Sequence, residues 1–383
     1  MFLESTINKN KKLIEAAFKF HKDRCIEPNT YLIDLDGLLE NARAIKEKAD
    51  KYKIDLFFMT KQIGRNPYIS KKLMELGYKG AVVVDFEEAE VMMKNNIPIC
   101  NVGHLVQIPS SLVKRIVDYG AEYITIYSIE KLREINEAAK ELKKKQKVMI
   151  RVLNEDDVIY SGQVGGFYKE DINRIVNELK TLENVEIVGL TTFPCFLFNE
   201  KEKNINPTNN IDTLKEFQEE FKKNNIIIKE LNMPSVTCIK TLDMIYELGG
   251  TQGEPGHGLT GTTPDINGEE IPSMIYVSEI SHNFKGKSYC FGGGYYRRGH
   301  LESALVGENI KNCKKVKAIG PTPENIDYHI EIDEECTVGN AVIMAFRTQI
   351  FVTRSKVAIV EGLNSGNPVI SSIYNSLGEL IGN

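Results

Sequence analysis

Little in this 383-residue sequence suggests a redox or metal scaffold. Its seven cysteines, at 25, 100, 195, 238, 290, 313 and 336, include no C-x-x-C pair, which excludes a zinc ribbon and a dithiol redox motif. A scattered, odd set fits reduced thiols and a cytoplasmic setting. No His/Asp/Glu group has metal-ligand spacing, so no metal is predicted. A basic excess is missing as well: 48 Lys and Arg stand against 53 Asp and Glu, a net charge of -5, which argues against nucleic acid as a partner. No apolar stretch approaches ~18 residues, and the opening MFLESTINKNKK is polar by its eighth residue, so neither a membrane span nor a secretory core is expected. Low-complexity runs and internal repeats are absent too.

What is present is the composition of a well-filled globular chain, 42% hydrophobic and 26% charged. At about 150 residues per domain the length predicts two or three domains. Short apolar runs alternate with amphipathic stretches, the mark of βα units. The runs are Ile54 to Thr60, Gly80 to Asp85, Ile97 to Val102, Tyr123 to Tyr127, Lys147 to Leu153, Val185 to Thr192, Ile226 to Asn232 and the glycine-rich Gly250 to Glu254. Helical patterns follow them, among them Ser128 to Lys145, Lys169 to Leu182 and Val236 to Leu248. Such a series matches the ~250 residues of a (β/α)8 barrel. An open doubly wound sheet would need a Gly-rich first turn, which is absent. From Pro272 onward, strand-like runs come at short spacing without long helices. The expected fold class is α/β: a TIM barrel over 31–271 and a C-terminal all-β domain over 272–383. Residues 1–30 form an N-terminal segment with one amphipathic helix, Lys11 to His21.

Barrel chemistry sits at the C-terminal ends of the strands. The first strand closes on Lys61; burial there lowers an amine's pKa and makes it a usable nucleophile or base, whereas a lysine that leaves the barrel into solvent does nothing. After strand seven, Ser235 and Thr237 in Pro234-Ser235-Val236-Thr237 open a helix, as an anion site or an ordinary N-cap. After strand eight, Glu254-Pro255-Gly256-His257-Gly258 offers Gly256 for close approach of backbone to an anion. The loops after strands seven and eight often hold a phosphate. A strand-one lysine opposite a phosphate cradle suggests pyridoxal phosphate, with Lys61 as its Schiff-base partner and Glu254 on the pyridine nitrogen. The plain alternative for Glu254 is a surface turn residue, since Pro-Gly is a common turn dipeptide.

The order of these motifs resembles the fold-type III pyridoxal-phosphate enzymes, the group of alanine racemases and of ornithine and diaminopimelate decarboxylases. Met59-Thr60-Lys61-Gln62-Ile63-Gly64-Arg65-Asn66-Pro67 is similar to the ornithine-racemase and YhfX-type proteins that carry an alanine racemase N-terminal domain. The resemblance runs from about residue 30 to the end. Glu254-Pro255-Gly256 resembles the decarboxylases, where the glutamate holds the pyridine nitrogen and the glycine the phosphate; many alanine racemases carry arginine instead. The resemblance implies that Ser235, Thr237, Gly256 and His257 hold the phosphate, largely by backbone. Gln163 stands where the racemases have arginine, and Phe193 where many relatives stack a histidine on the cofactor. Gly320-Pro321-Thr322-Pro323 lacks the cysteine of the decarboxylases, which counts against ordinary decarboxylation.

Racemisation needs two bases on opposite faces of the substrate. Lys61 is one. Gly292-Gly293-Gly294 followed by Tyr295, Tyr296, Arg297, Arg298 and His300 is the candidate stretch for the other, with Tyr295, Tyr296 and His300 as possible bases. Its alternative is a hairpin turn with exposed basic residues; Tyr328 and His329 are further candidates. His21, His104 and His282 are read as structural, and Cys195 as packing. The reading is an amino-acid racemase dependent on pyridoxal phosphate. The resemblance implies a homodimer whose sites are completed by the partner. Decarboxylation of an amino acid and non-catalytic cofactor binding are the alternatives.

Overall fold

A computed structural model describes residues 1–265 and 267–382. Ile266 and Asn383, which close no predicted motif but lie in the expected barrel and β-domain ranges, fall outside the described residues. The chain divides into two compact units. One joins Met1–Arg43, Lys61–Ile69 and the chain from His257 onward; the other joins Ala44–Thr60 and Ser70–Gly256.

The first unit begins with two helices, α1 (Phe2–Lys9) and α2 (Lys11–Lys22), where the sequence pattern predicts one. Asn10 separates them, and its side-chain oxygen caps α2 by accepting from the Leu13 amide. Leu13, Ile14, Ala17 and Phe18 recur at helical spacing and share a core with Leu32, Ile275, Val277, Ile343, Ala358 and Val360. The N-terminal segment therefore packs on the β-sheet. Strand β1 (Thr30–Asp34) belongs to that sheet as well. All five of its residues are buried, and it runs between Met274–Phe284, antiparallel, and Lys356–Glu361, parallel. This moves the expected boundary at residue 31: the partners of β1 lie more than two hundred residues away, and local pattern does not name them.

In the second unit, eight parallel strands among the described residues close a barrel. They are β2 (Asp55–Met59), β3 (Gly80–Val82), β4 (Ile99–Val102), β5 (Tyr123–Ile126), β6 (Gln146–Arg151), β7 (Val185–Thr191), then β10 (Glu230–Asn232) and β11 (Gln252–Gly253). A small hairpin, β8 (Phe196–Asn199) and β9 (Asn204–Pro207), interrupts the series. Barrel strands buried on both faces read as continuous apolar runs, as β5 (YITI) does. The βα turns end in caps: Asp85 accepts from the Glu88 amide ahead of helix Phe86–Lys94, and Ser128 from the Lys131 amide ahead of Ile129–Glu141.

The C-terminal strands of the first unit are β12 (Met274–Phe284), β13 (Lys287–Phe291), β14 (Ser303–Gly307), β15 (Lys314–Ile319), β16 (His329–Ile332), β17 (Ala341–Met344), β18 (Lys356–Glu361), β19 (Val369–Asn375) and β20 (Leu380–Gly382). Their order is β13-β16-β15-β14-β17-β12-β1-β18-β19-β20. A further β12–β13 pairing turns β12 to β17 into a closed circuit. Apart from β1 with β18, the pairs in this sheet are antiparallel. The barrel and the β domain are thus both present, in the expected order along the chain.

Candidate active site

The C-terminal end of the barrel is polar inside. Asn101, Thr125, Thr191, Asn232 and Gln252 come from five strands, and all are fully buried. Their hydrogen bonds converge on one carboxylate. Glu254, only 5% exposed, accepts at Oε1 from Asn232 Nδ2 (3.0 Å) and Asn101 Nδ2 (3.3 Å). Thr125 donates to Asn101 Oδ1 (2.8 Å) and Thr191 to Asn232 Oδ1 (2.9 Å), which fixes which end of each amide faces the glutamate. The Glu254 amide donates to Thr237 Oγ1 (3.0 Å). Glu254 is therefore not a surface turn residue. It is a buried carboxyl group whose position residues of five strands determine.

Beyond it lie groups that end other strands. His104, two residues after β4 and fully buried, has Nε2 3.8 Å from Glu254 Oε2. Its ring meets Phe193 edge-on, with centroids 5.6 Å apart at 86°. Phe193 is half-buried and also touches Tyr160. Tyr127, after β5, donates to the His104 carbonyl. Arg151, the last residue of β6 and 2% exposed, donates from Nη1 to the Tyr127 hydroxyl (2.6 Å) and from Nη2 to the Gln163 carbonyl (2.8 Å). The segment that brings Gln163 there needs glycine: at Gly165 (φ +140°) a Cβ would sit 2.6 Å from the Tyr127 ring. His104 and Arg151 were not singled out as site residues by the sequence. The signal was available, since both stand at strand ends. His104, expected to be structural, lies beside the central carboxylate.

The loop after β10 departs from expectation. The sequence places Ser235 and Thr237 at the start of a helix over Val236–Leu248, but the helix is Thr241–Glu247. Ser235 (φ +93°) and Val236 (φ +50°) are both left-handed, conformations that stop a helix. Ser235 is no N-cap: its hydroxyl donates to the Phe196 carbonyl (2.6 Å). Thr237 ties the loop to Glu254, as described. Cys195, close by, is buried and donates to the Thr192 carbonyl. Burial and then the Glu254 charge push its thiol well above the ordinary range, so it packs as the sequence suggests.

Lys61 follows Thr60 directly out of β2, and it is half-buried, not fully exposed. It opens a short 3-10 turn, Lys61–Ile63, and the next residues explain the motif around it. Gly64 (φ +63°) and Arg65 (φ +56°) reverse the chain; a Cβ on Gly64 would sit 2.9 Å from Ile350 Cγ2. Asn66 Oδ1 then accepts from the amides of Tyr68 and Ile69, and Pro67 takes the first position of helix Pro67–Glu75. Much of Gly64-Arg65-Asn66-Pro67 is thus a reversal and a cap that hold the lysine turn.

His257 belongs to the same unit as Lys61. Its Nε2 accepts from Arg347 Nε (3.0 Å), so Nδ1 carries the proton and donates to Thr262 Oγ1 (2.8 Å). Burial, then the Arg347 and Lys61 charges, hold its pKa well below the usual imidazole value. Arg347 is another residue the sequence did not single out.

The glycine triplet permits a close approach of backbone. A Cβ on Gly292 would strike the Asp327 carbonyl (2.3 Å), and one on Gly294 the Tyr276 ring (2.2 Å), so the close approach is to the chain itself. Tyr295 and Tyr296 line a hollow of about 350 Å³ with Arg297, Thr322, Asn325 and Asp327. Burial raises the Tyr295 phenol pKa. His300 is exposed, at φ +55° on a surface turn.

These groups fit pyridoxal phosphate. A buried carboxylate held by two amides matches a protonated pyridine nitrogen, and the Phe193 and His104 rings supply aromatic walls. Among the described residues, no group of carboxylates, histidines and cysteines is gathered as a metal site, and no helix is long and apolar enough to cross a membrane.

Comparison with known proteins agrees. Residues 275–370 match the family described as YhfX-like, C-terminal domain. The uncharacterised protein YhfX of Escherichia coli (strain K12) is 42% identical over 388 residues, covering 100% of both chains. Among solved structures, an alanine racemase of Clostridium difficile 630 in complex with cycloserine superposes with a TM-score of 0.65 at 18% identity, covering 91% of this chain and 98% of that one. The D-threonine aldolase of Filomicrobium marinum does so with a TM-score of 0.66 at 12% identity, covering 92% and 95%. These similarities show the fold, an alanine racemase-like barrel with a C-terminal antiparallel β domain. With residues 33–264 matching the family described as alanine racemase, N-terminal domain, the chain belongs to that family, whose members depend on pyridoxal phosphate.

Proposed function

We propose that the chain is a pyridoxal-phosphate-dependent amino-acid racemase. The observation that carries the reading is Glu254, buried and held by Asn101 and Asn232 at the end of β11. Strand β11 pairs with β2, the strand that leads into Lys61, and the Met59 amide donates to the Pro255 carbonyl (2.9 Å). When bound, the cofactor supplies an electron sink for a carbanion at the substrate Cα. Lys61 Nζ would carry the cofactor and take or return the α-proton on one face. Glu254 would hold the pyridine nitrogen in its protonated form, and Phe193 would wall the ring. Backbone N–H groups of Ser235, Thr237, Gly256 and His257 would hold the phosphate. Because His257 is neutral, its ring adds no charge there. The second base would be Tyr295, Tyr296 or His300, supplied by the β domain of a second copy in a homodimer. Among these, Tyr295 and Tyr296 border a hollow and are favoured over the exposed His300. No disulfide joins the seven cysteines among the described residues, which supports the cytoplasmic setting.

Glu254 also favours a second reading, decarboxylation of an amino acid, because a protonated pyridine stabilises a carbanion however it is made. Incubating the loaded protein with a panel of amino acids in deuterated water separates the two. Racemisation predicts deuterium at Cα with loss of optical rotation and no carbon dioxide. Carbon dioxide release with an amine product would replace it by the second reading, and neither signal across the panel would overturn both.

A further inference from the structure

Arg151 poses a problem that the barrel itself does not solve. It is 2% exposed, yet its hydrogen-bond partners are neutral: the Tyr127 hydroxyl, the Gln163 carbonyl and, over the ring face at 5.1 Å, Tyr127 again. The Tyr127 hydroxyl gives its own proton to the His104 carbonyl, so toward Arg151 it can only accept. No carboxylate among the described residues pairs with this guanidinium. Removing a cation from water without a counter-charge is costly, and neutral acceptors recover only part of the loss. A fold seeking only stability would place an apolar or amide side chain here. Two of the five N–H groups are engaged, which leaves a planar fork suited to a carboxylate.

Position agrees with that chemistry. Arg151 ends β6 as Glu254 follows β11, at the same end of the barrel. The contacts Arg151–Tyr127–His104–Glu254 run continuously from one to the other. Strand β7 stands between β6 and β10, so Arg151 is not on the strands whose loops are assigned the phosphate. Gly165 and Gly166 fold the following segment back; a Cβ on Gly166 would lie 2.8 Å from the Arg151 carbonyl. That segment brings the Gln163 carbonyl onto the guanidinium and orients it.

We infer that Arg151 is the binding site for a carboxylate of the substrate, either the α-carboxylate or one on the side chain. The inference rests on the proposed function. The test uses the full-length protein loaded with pyridoxal phosphate, as wild type, Arg151→Met and Arg151→Lys. Cofactor absorbance reports loading, calorimetry reports affinity for alanine, glutamate and ethylamine, and thermal unfolding of the unloaded proteins reports structure. Loading should be equal in wild type and Arg151→Met; wild type that does not load defeats the proposed function itself. Wild type should bind a carboxylate-bearing amine about 100-fold more tightly than ethylamine. Arg151→Met should reduce that preference to a few-fold while the Tm of the unloaded protein holds or rises, because an unpaired buried charge is gone. Preference for alanine identifies the α-carboxylate, and preference for glutamate alone identifies the side chain. An unchanged preference in Arg151→Met overturns the inference, as does a lower Tm in which all three ligands weaken equally. If Arg151→Met does not fold, Arg151→Lys decides. A point charge in place of the fork should lose about tenfold of the preference, and equality with wild type overturns the inference.

Discussion

Two substitutions at Glu254 separate its chemical role from its structural one. Glu254→Ala removes the acceptor of two buried amide donors, Asn101 Nδ2 and Asn232 Nδ2, and the network behind them keeps both amides facing the vacated point. A buried donor left without a partner costs about 1–3 kcal/mol; Asn101 Nδ2 is left so, while Asn232 Nδ2 keeps a long bond to Gln252 Oε1 (3.4 Å), so the loss in urea unfolding should be about 1–4 kcal/mol. Glu254→Gln keeps a carbonyl oxygen where Oε1 stands and changes shape very little, so stability should fall by less than about 1 kcal/mol. The charge, however, is gone. A charge-assisted bond to a protonated pyridine nitrogen is worth about 1.5–3 kcal/mol, so turnover should drop about 10- to 150-fold while cofactor still loads. The two variants are compared by urea titration, cofactor absorbance and turnover. Wild-type turnover in a well-folded Glu254→Gln would refute the reasoning, because the carboxylate would then serve only the polar layer. Equal destabilisation by both variants would refute the hydrogen-bond accounting.

Three further outcomes follow from the structure. Leu13→Ala, in the helix that covers the sheet, should cost about 2–5 kcal/mol in urea unfolding; a loss under about 1 kcal/mol would contradict that packing. His257 is held neutral, with its folded pKa depressed below the ordinary 6.5, so unfolding takes up a proton and stability falls as pH drops below that value, by up to about 1.4 kcal/mol per pH unit. His257→Gln should remove that contribution from the acid limb of a Tm–pH profile between neutral and mildly acidic pH, and an unaltered limb would argue against a buried neutral imidazole. Val236 sits in the left-handed region at φ +50°, so Val236→Gly should stabilise the unloaded protein by about 1 kcal/mol in urea unfolding, and destabilisation would show that its side-chain packing outweighs the strain.

The barrel was legible because strands buried on both faces leave apolar runs, and the run from Tyr123 to Tyr127 became β5 almost unchanged. Elsewhere run and ladder part company: the continuous apolar residues are 226–228, but the pairing residues are Glu230–Asn232. Pairing partners were less legible. The buried pattern of β1 fits either unit, and only its register with residues 274–277 and 356–360 assigns it. The helix after β10 starts late because Ser235 and Val236 take left-handed backbone, which non-glycine residues do not advertise. Within the candidate site, strand-end position pointed to Lys61 and Glu254. The same rule applied to β4 and β6 leads to His104 and Arg151. Arg347 is different in kind: its relation to His257 spans ninety positions in the chain and carries no local signal.

Everything proposed for the site depends on Lys61 carrying the cofactor. The most direct test is to mix the purified chain with pyridoxal phosphate, reduce it with borohydride, digest it and locate the added pyridoxyl mass. The label is expected on the peptide containing Lys61 and is lost in Lys61→Ala. An unlabelled Lys61, or equal labelling of surface lysines in both proteins, would contradict that role.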